Sequence, residues 1–281
     1  RRMNEAGVLG RMIPEFGRVV SMMQYNLYHH YTVDEHLIRT VGIVSEIERG
    51  ESASKHPLSH DIFKAVANRR VLYVAAFLHD IGKGRPEDHS ILGARIASHV
   101  CPRLGLTQAE TDLVVWLIQN HLLMSNIAQS RDIADPKTIR DFADMMQSVE
   151  RLRLLLVLTV ADIRAVGPST WNGWKGQLLR SLYYATEPLL SGAYQPIALS
   201  ERVETGIAEF RKIAASEPPE RVQAYIDRHY ADYWLKTSPT KQLEHMRLVQ
   251  RTEAAGRNFG TDFPTDTVTA ISELSLLAPN H

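Results

Sequence analysis

Apolar residues recur at three- and four-residue spacing through most of the 281 positions, while period-two alternation is nearly absent, so the pattern predicts an all-α body. Helices are expected at about 33–49, 58–68, 70–80, 89–101, 107–123, 136–146, 148–166, 171–190, 198–215, 219–235 and 238–255. Local chemistry supports several ends. Thr107 with Glu110 reads as a capping box, Asp135-Pro136 as an N-cap followed by the first helical position, and Gly167-Pro168 as a stop. After Arg257 the texture changes: residues 260–265 are linker-like, and residues 267–277, rich in Val, Ile, Thr and Leu with partial alternation, read as a strand. A lone strand is unstable, so this one needs partners in an oligomer or in a further domain.

Composition narrows the class. With 44% hydrophobic residues and no apolar run near the roughly 20 that a membrane span needs, a soluble protein with one substantial core is expected, without a membrane partner. Lys plus Arg and Asp plus Glu both number 32, so no global basic field exists for nucleic acid and any phosphate recognition must be local. A single cysteine, Cys101, excludes an internal disulfide framework and, with no charged-then-apolar leader, suits a cytoplasmic location. The chain opens on Arg1-Arg2 rather than an initiator Met, which predicts a piece of something longer.

Candidate chemistry begins at His79-Asp80, which closes the apolar run from Val71 to Leu78 and opens into Ile81-Gly-Lys-Gly-Arg85. Burying an imidazole beside a carboxylate needs something to offset their desolvation, and a divalent cation is the natural candidate. Nine of the twelve histidines lie in the first 121 residues; clustering alone says little, but several have contexts suited to coordination. His36 follows Thr32-Val-Asp-Glu35, His89 follows Glu87-Asp88 at a helix start, and His121 ends the run from Leu113 to Ile118. Each has a bland alternative as a solvated group or helix-end cap. Asp162 is sharper, since it sits in Leu154-Leu-Leu-Val-Leu-Thr-Val-Ala-Asp162, where a carboxylate is normally metal-bound or paired; Arg164 is the competing partner.

The order His…His-Asp…His…His…Asp, with Lys83 after His79-Asp80 and the spacing His89-Ser-Ile-Leu-Gly93, resembles the HD superfamily of metal-dependent phosphohydrolases, in particular its two-metal members. Longer stretches are similar to the central region of the bacterial bifunctional PII uridylyltransferase/uridylyl-removing enzymes. These are Met3-Asn-Glu-Ala-Gly-Val-Leu-Gly-Arg-Met-Ile-Pro-Glu-Phe-Gly17, Tyr28-His-His-Tyr-Thr-Val-Asp-Glu-His36, Asn120-His-Leu-Leu-Met-Ser125, Ala161-Asp-Ile-Arg-Ala-Val-Gly-Pro168 and Trp171-Asn-Gly-Trp174. The closing segment from Ile271 resembles the opening strand of that family's first ACT domain.

The resemblance implies a linker from a nucleotidyltransferase domain over residues 1–22, an HD-type domain with a helical extension over 23–256, and a linker with one ACT strand over 257–281. It further implies that Asp80 bridges two divalent metals, with His36, His79 and Asp162 on one and His89 and His121 on the other. Four imidazoles and two carboxylates suit Mn²⁺, Fe²⁺, Zn²⁺ or Co²⁺ better than Mg²⁺. The implied reaction is hydrolysis of the phosphodiester joining UMP to a tyrosine of uridylylated PII, with glutamine as effector acting through ACT domains. Lys83 is expected to act in catalysis and to contact the phosphate, with Arg85 second and His30 orienting phosphate or water. The Gly-Ser and Asp-x-Asp patterns of a nucleotidyltransferase occur nowhere in the sequence, so that second activity is not expected here. Two rival readings are a phosphohydrolase of small nucleotides and a catalytically weak, metal-bound regulatory module. Trp171 and Trp174 are read as helix-start packing in preference to a uracil stack.

Overall fold

The computed structural model describes residues 1–23, 30–51, 57–167, 170–191, 196–263, 265–266, 271–272 and 274–279. Pro168 and residues 28, 29 and 267–270, which carry parts of the motifs above, lie outside them. The chain divides into two compact units, Arg1–Leu190 and Ser191–His281.

The first unit opens with three short helices, α1 (Arg2–Glu5), α2 (Val8–Met12) and α3 (Pro14–Gly17). Among the described residues nine longer ones follow: α4 (Val33–Arg49), α5 (Pro57–Lys64), α6 (Arg69–Leu78), α7 (His89–Arg103), α8 (Gln108–Gln119), α9 (Leu123–Ser130), α10 (Pro136–Met146), α11 (Val149–Val166) and α12 (Gly173–Ser191). Helix α11 runs through the middle. Its stretch Leu154 to Ala161 is buried without interruption, because α4, α5, α6, α8 and α9 all pack on it. A helix apolar all round is stable only in such a setting, which is how the sequence pattern around Asp162 is satisfied.

Two differences from the expected elements matter. The helix expected over 107–123 stops at Gln119, where the Asn120 side-chain amide donates to the Trp116 carbonyl (2.8 Å) and so takes up one of the helix-end acceptors. A new helix, α9, then starts at Leu123, leaving His121 in the turn between them. The short N-terminal helices were not expected, and Asp34 ties them to α4 by accepting from Asn4 Nδ2 (2.7 Å) and Ser21 N (3.0 Å).

The expected caps form. Asp135 accepts from Lys137 N (2.8 Å), and Thr107 and Glu110 complete a capping box. Glu110 also takes the Arg70 guanidinium, at 3.2 and 2.5 Å. Arg70 first, then the Thr107 amide and hydroxyl, pull its pKa from 4.5 down to about 2. A carboxylate depressed on folding contributes stability that is fully present above its unfolded pKa and fades as pH falls toward the folded value. Glu110→Gln is therefore expected to blunt the fall in urea midpoint as pH drops below 4.5. An unchanged acid slope would remove Glu110 as a source of that dependence.

The second unit contains α13 (Pro196–Ile213), α14 (Pro219–Ile226), α15 (Ala231–Lys236) and α16 (Pro239–Ala254), around Phe210, Tyr225, Trp234 and Met246. The single helix expected over 219–235 is thus two, and the break lets His229 stack on Tyr233 at 3.9 Å. The strand expected over 267–277 is present, in its described part, as β3 (Ile271–Ser272) and β4 (Ser275–Leu277). Both pair antiparallel with the stretch just before, β2 (Thr265–Asp266) with β3 and β1 (Gly260–Asp262) with β4. Some of the strand's pairing therefore comes from residues that read as linker. Among the described residues, no helix is long and apolar enough to cross a membrane.

Candidate metal centre

All six residues expected as ligands come together in the first unit. His36 lies one turn into α4, and His79 caps the C-terminus of α6 with Asp80 starting the turn that follows. His89 is the first residue of α7, His121 sits in the turn after α8, and Asp162 is near the end of α11. His36, His79, Asp80 and His121 are each at most 2% exposed.

The close crossing of two glycines sets the geometry. A Cβ on Gly82 would lie 2.4 Å from the His89 carbonyl oxygen and 2.8 Å from Gly93 N. Only glycine lets the turn after Asp80 lie against the first turn of α7, and that contact brings His89 beside Asp80. Asp88 caps α7 by accepting from Ser90 N (2.9 Å) and Ile91 N (3.1 Å), which fixes where the helix begins.

Asp80 stands at the centre with its two oxygens facing different partners. Oδ2 is 3.5 Å from His36 Nε2 and 3.6 Å from His79 Nε2, whereas Oδ1 is 3.6 Å from His89 Nε2 and 3.7 Å from His121 Nε2. Asp162 Oδ1 joins the first group, 3.1 Å from His36 Nε2 and 3.5 Å from His79 Nε2. Two sets of donor atoms therefore share one carboxylate, His36, His79 and Asp80 in one and Asp80, His89 and His121 in the other. Arg164, the rival partner for Asp162, pairs instead with Glu46 on α4 at 2.9 Å.

Backbone contacts fix two tautomers. His79 Nδ1 lies 3.0 Å from the Ala76 carbonyl and His121 Nδ1 2.7 Å from that of Ile118. A carbonyl only accepts, so each Nδ1 carries a proton and each Nε2 turns its lone pair into the cluster. His36 Nε2 and His79 Nε2 are 3.1 Å apart, so with the His79 lone pair turned inward that contact is filled by a proton on His36 Nε2 or by a cation. Asp80 Oδ1 is buried with no hydrogen bond. An orphaned carboxylate oxygen among inward-facing imidazoles fits a divalent cation.

Electrostatics agree. Burial alone would raise the Asp80 pKa, but His79, Lys83, His121 and His36 outweigh it and hold the carboxyl well below its ordinary range. Asp162 is likewise held low against burial, chiefly by His79 and His36. Burial opposes charging His79, yet the two carboxylates raise its pKa, while burial and the neighbouring His79 lower that of His121. A raised His79 pKa means that a cation bound there competes with a proton for that imidazole.

The cluster opens into a cleft of about 470 Å³ lined by Asp80, Lys83, His89, His121 and Asp162. Lys83 places its ammonium 2.6 Å from Asp80 Oδ2. Arg85 and His30 are not among the lining residues, and the His30 ring lies against Gly167 at the end of α11. The lining also includes Ser125 of α9, which closes the Asn120–Ser125 motif, together with Gln129 of α9 and Lys175 of α12, which the sequence did not single out. Trp171 packs against Gly176 and the core, whereas Trp174 is 59% exposed.

An all-helical body holding two donor sets on a shared Asp of a His-Asp pair defines an HD-domain metal-dependent phosphohydrolase. Residues 33–165 match the HD domain, and this region belongs to that family. Along its whole length the chain is 51% identical to the "bifunctional uridylyltransferase/uridylyl-removing enzyme" of Bradyrhizobium diazoefficiens and 50% identical to the proteins of that name from Nitrobacter winogradskyi and Rhodopseudomonas palustris. In each case all of this chain is covered and it spans 30% of the relative's length, corresponding to the HD-containing region.

Proposed function

We propose that this chain performs the uridylyl-removing reaction, hydrolysing the phosphodiester that joins UMP to a tyrosine of the nitrogen-regulatory protein PII. The observation that supports it most is the division of Asp80, one oxygen toward each donor set, in a chain half identical to enzymes named for uridylyl removal. Asp80 is assigned to both cations, His36, His79 and Asp162 to one and His89 and His121 to the other, with Mn²⁺ as first choice and Fe²⁺, Zn²⁺, Co²⁺ or Mg²⁺ as alternatives. When bound, two such ions supply Lewis acidity for the attacking water and neutralise charge on the phosphoryl oxygens.

The protein's own residues do the positioning. The backbone carbonyls of Ala76 and Ile118 orient the imidazoles of His79 and His121, and Lys83 offers its ammonium to the phosphate from the rim of the cluster. In the reaction the P–O bond to tyrosine breaks as a bond from water oxygen to phosphorus forms. The leaving phenol has a pKa of roughly 10, so little general-acid help is required. Glutamine control is assigned to ACT domains of a longer cytoplasmic enzyme.

The test is UMP release from uridylylated PII by chelator-treated protein, with Mn²⁺ or Mg²⁺ added back. Release is expected only with added metal. No release from a chain shown to hold metal would turn the assignment toward a small-nucleotide substrate.

A further inference from the structure

Lys175 is the third residue of α12, a 19-residue helix whose N-cap Asn172 accepts from the Lys175 amide at 2.8 Å. Three physical effects disfavour a cation there. The N-terminal end of a helix carries partial positive charge, so an ammonium in the first turn is repelled. Burial also opposes the charged form and lowers its pKa. No carboxylate among the described residues offsets that burial. Its ammonium donates to the Thr170 carbonyl (2.8 Å), which takes up one of three N–H donors and brings no negative charge.

Such a residue contradicts its local setting, and contradictions of that kind gather at functional sites. Lys175 lines the same cleft as Asp80, Asp162, His89 and His121. Lys83, the other lysine lining it, is tied to Asp80 at 2.6 Å, whereas among the described residues Lys175 has a partner for one of its three donors. An anionic ligand seated at the cluster would supply the countercharge that the protein withholds.

We propose that Lys175 is a phosphate-binding residue of the cleft, its ammonium meeting an oxygen of the substrate's phosphodiester from α12 while Lys83 meets the same group from the turn after α6. This rests on the reading of the cleft as a phosphodiester-hydrolysing site and extends it to a residue outside the His-Asp cluster. Ser125 and Gln129, on the α9 wall, are then left to face the rest of the nucleotide.

The experiment is calorimetric titration of UMP, inorganic phosphate and uridine into the Mn²⁺-loaded full chain, as wild type, Lys175→Met and Lys175→Arg. Losing a charge-assisted hydrogen bond weakens binding by about ten- to a hundredfold. Lys175→Met is expected to show that loss for UMP or phosphate, none for uridine, and unchanged Mn²⁺ stoichiometry and melting temperature. Lys175→Arg should restore most of the affinity. Three results would overturn the assignment: affinities unchanged within about twofold, losses that track reduced metal content or stability, or no binding of either anion by the wild type. If uridylylated PII is not cleaved yet the Met variant still loses phosphate affinity, the substrate assignment fails while the Lys175 contact stands.

Discussion

Asp80→Asn is expected to reduce UMP release by roughly a thousandfold or more, on the scale of losing a preorganised electrostatic contact at a reacting phosphoryl group. Asparagine keeps the shape of the side chain, so the loss would not come from a cavity. It removes a negative charge from a point that four imidazoles and Lys83 surround, and it replaces one carboxylate oxygen with an amide nitrogen that cannot bind a cation. Because each oxygen faces a different donor set, one set loses its Asp80 oxygen whichever way the amide turns, and on the His89 and His121 side no other carboxylate stands in that set. Metal analysis should therefore show fewer than the wild-type number of ions, and circular dichroism should show a folded helical protein. A folded Asp80→Asn variant that releases UMP at the wild-type rate would overturn the assignment of the cluster as the reacting centre.

The second large effect concerns a residue with no side chain. In Gly82→Ala the new methyl would stand 2.4 Å from the His89 carbonyl oxygen and 2.8 Å from Gly93 N, both of them backbone atoms that cannot rotate aside. The turn and the first turn of α7 must move apart. Overpacking of this kind costs about 1–3 kcal/mol of stability. The functional cost should be larger in proportion, because the same displacement carries His89 away from Asp80, and an error near 1 Å in a reacting constellation costs on the order of a hundredfold in rate. Gly42→Ala provides the contrast. That glycine is exposed on α4, and a methyl added to it would meet nothing within 4 Å, so alanine there is expected to stabilise the helix by about 1 kcal/mol without touching activity. Thermal melts and UMP release on the two variants would separate the effects; equal behaviour would show that the glycine crossing does not hold the site.

Much of the scaffold was legible in the sequence because it depends on neighbours a few residues apart. The periodicity placed α4 at Val33–Arg49 and α10 at Pro136–Met146 as found, and it located His79-Asp80 at the end of a buried helix. A carboxylate inside the apolar run of α11 announced itself by composition alone, since such a group needs a partner wherever the helix packs.

Which partner it would have was a tertiary question. Asp162 and Arg164 are two residues apart and so project from different sides of α11; Arg164 meets Glu46, 118 positions away, while Asp162 meets His36 and His79. The break that puts His121 in a turn lies within a stretch whose periodicity continues unbroken, and the role of Gly82 depends on Gly93 arriving from another element. Arg85 and His30 looked suitable because of their types and their nearness in sequence to the cluster, yet they lie outside the cleft lining, while Lys175, far along the chain, lies within it. The sequence by itself determined most of the longer helices, the kinds of side chain that meet in the cluster and the family, because propensity, periodicity and motif order are local properties. Only the tertiary structure decided which charges share a dielectric cavity, because that depends on which helix faces meet, and no pattern along one helix records the face of another.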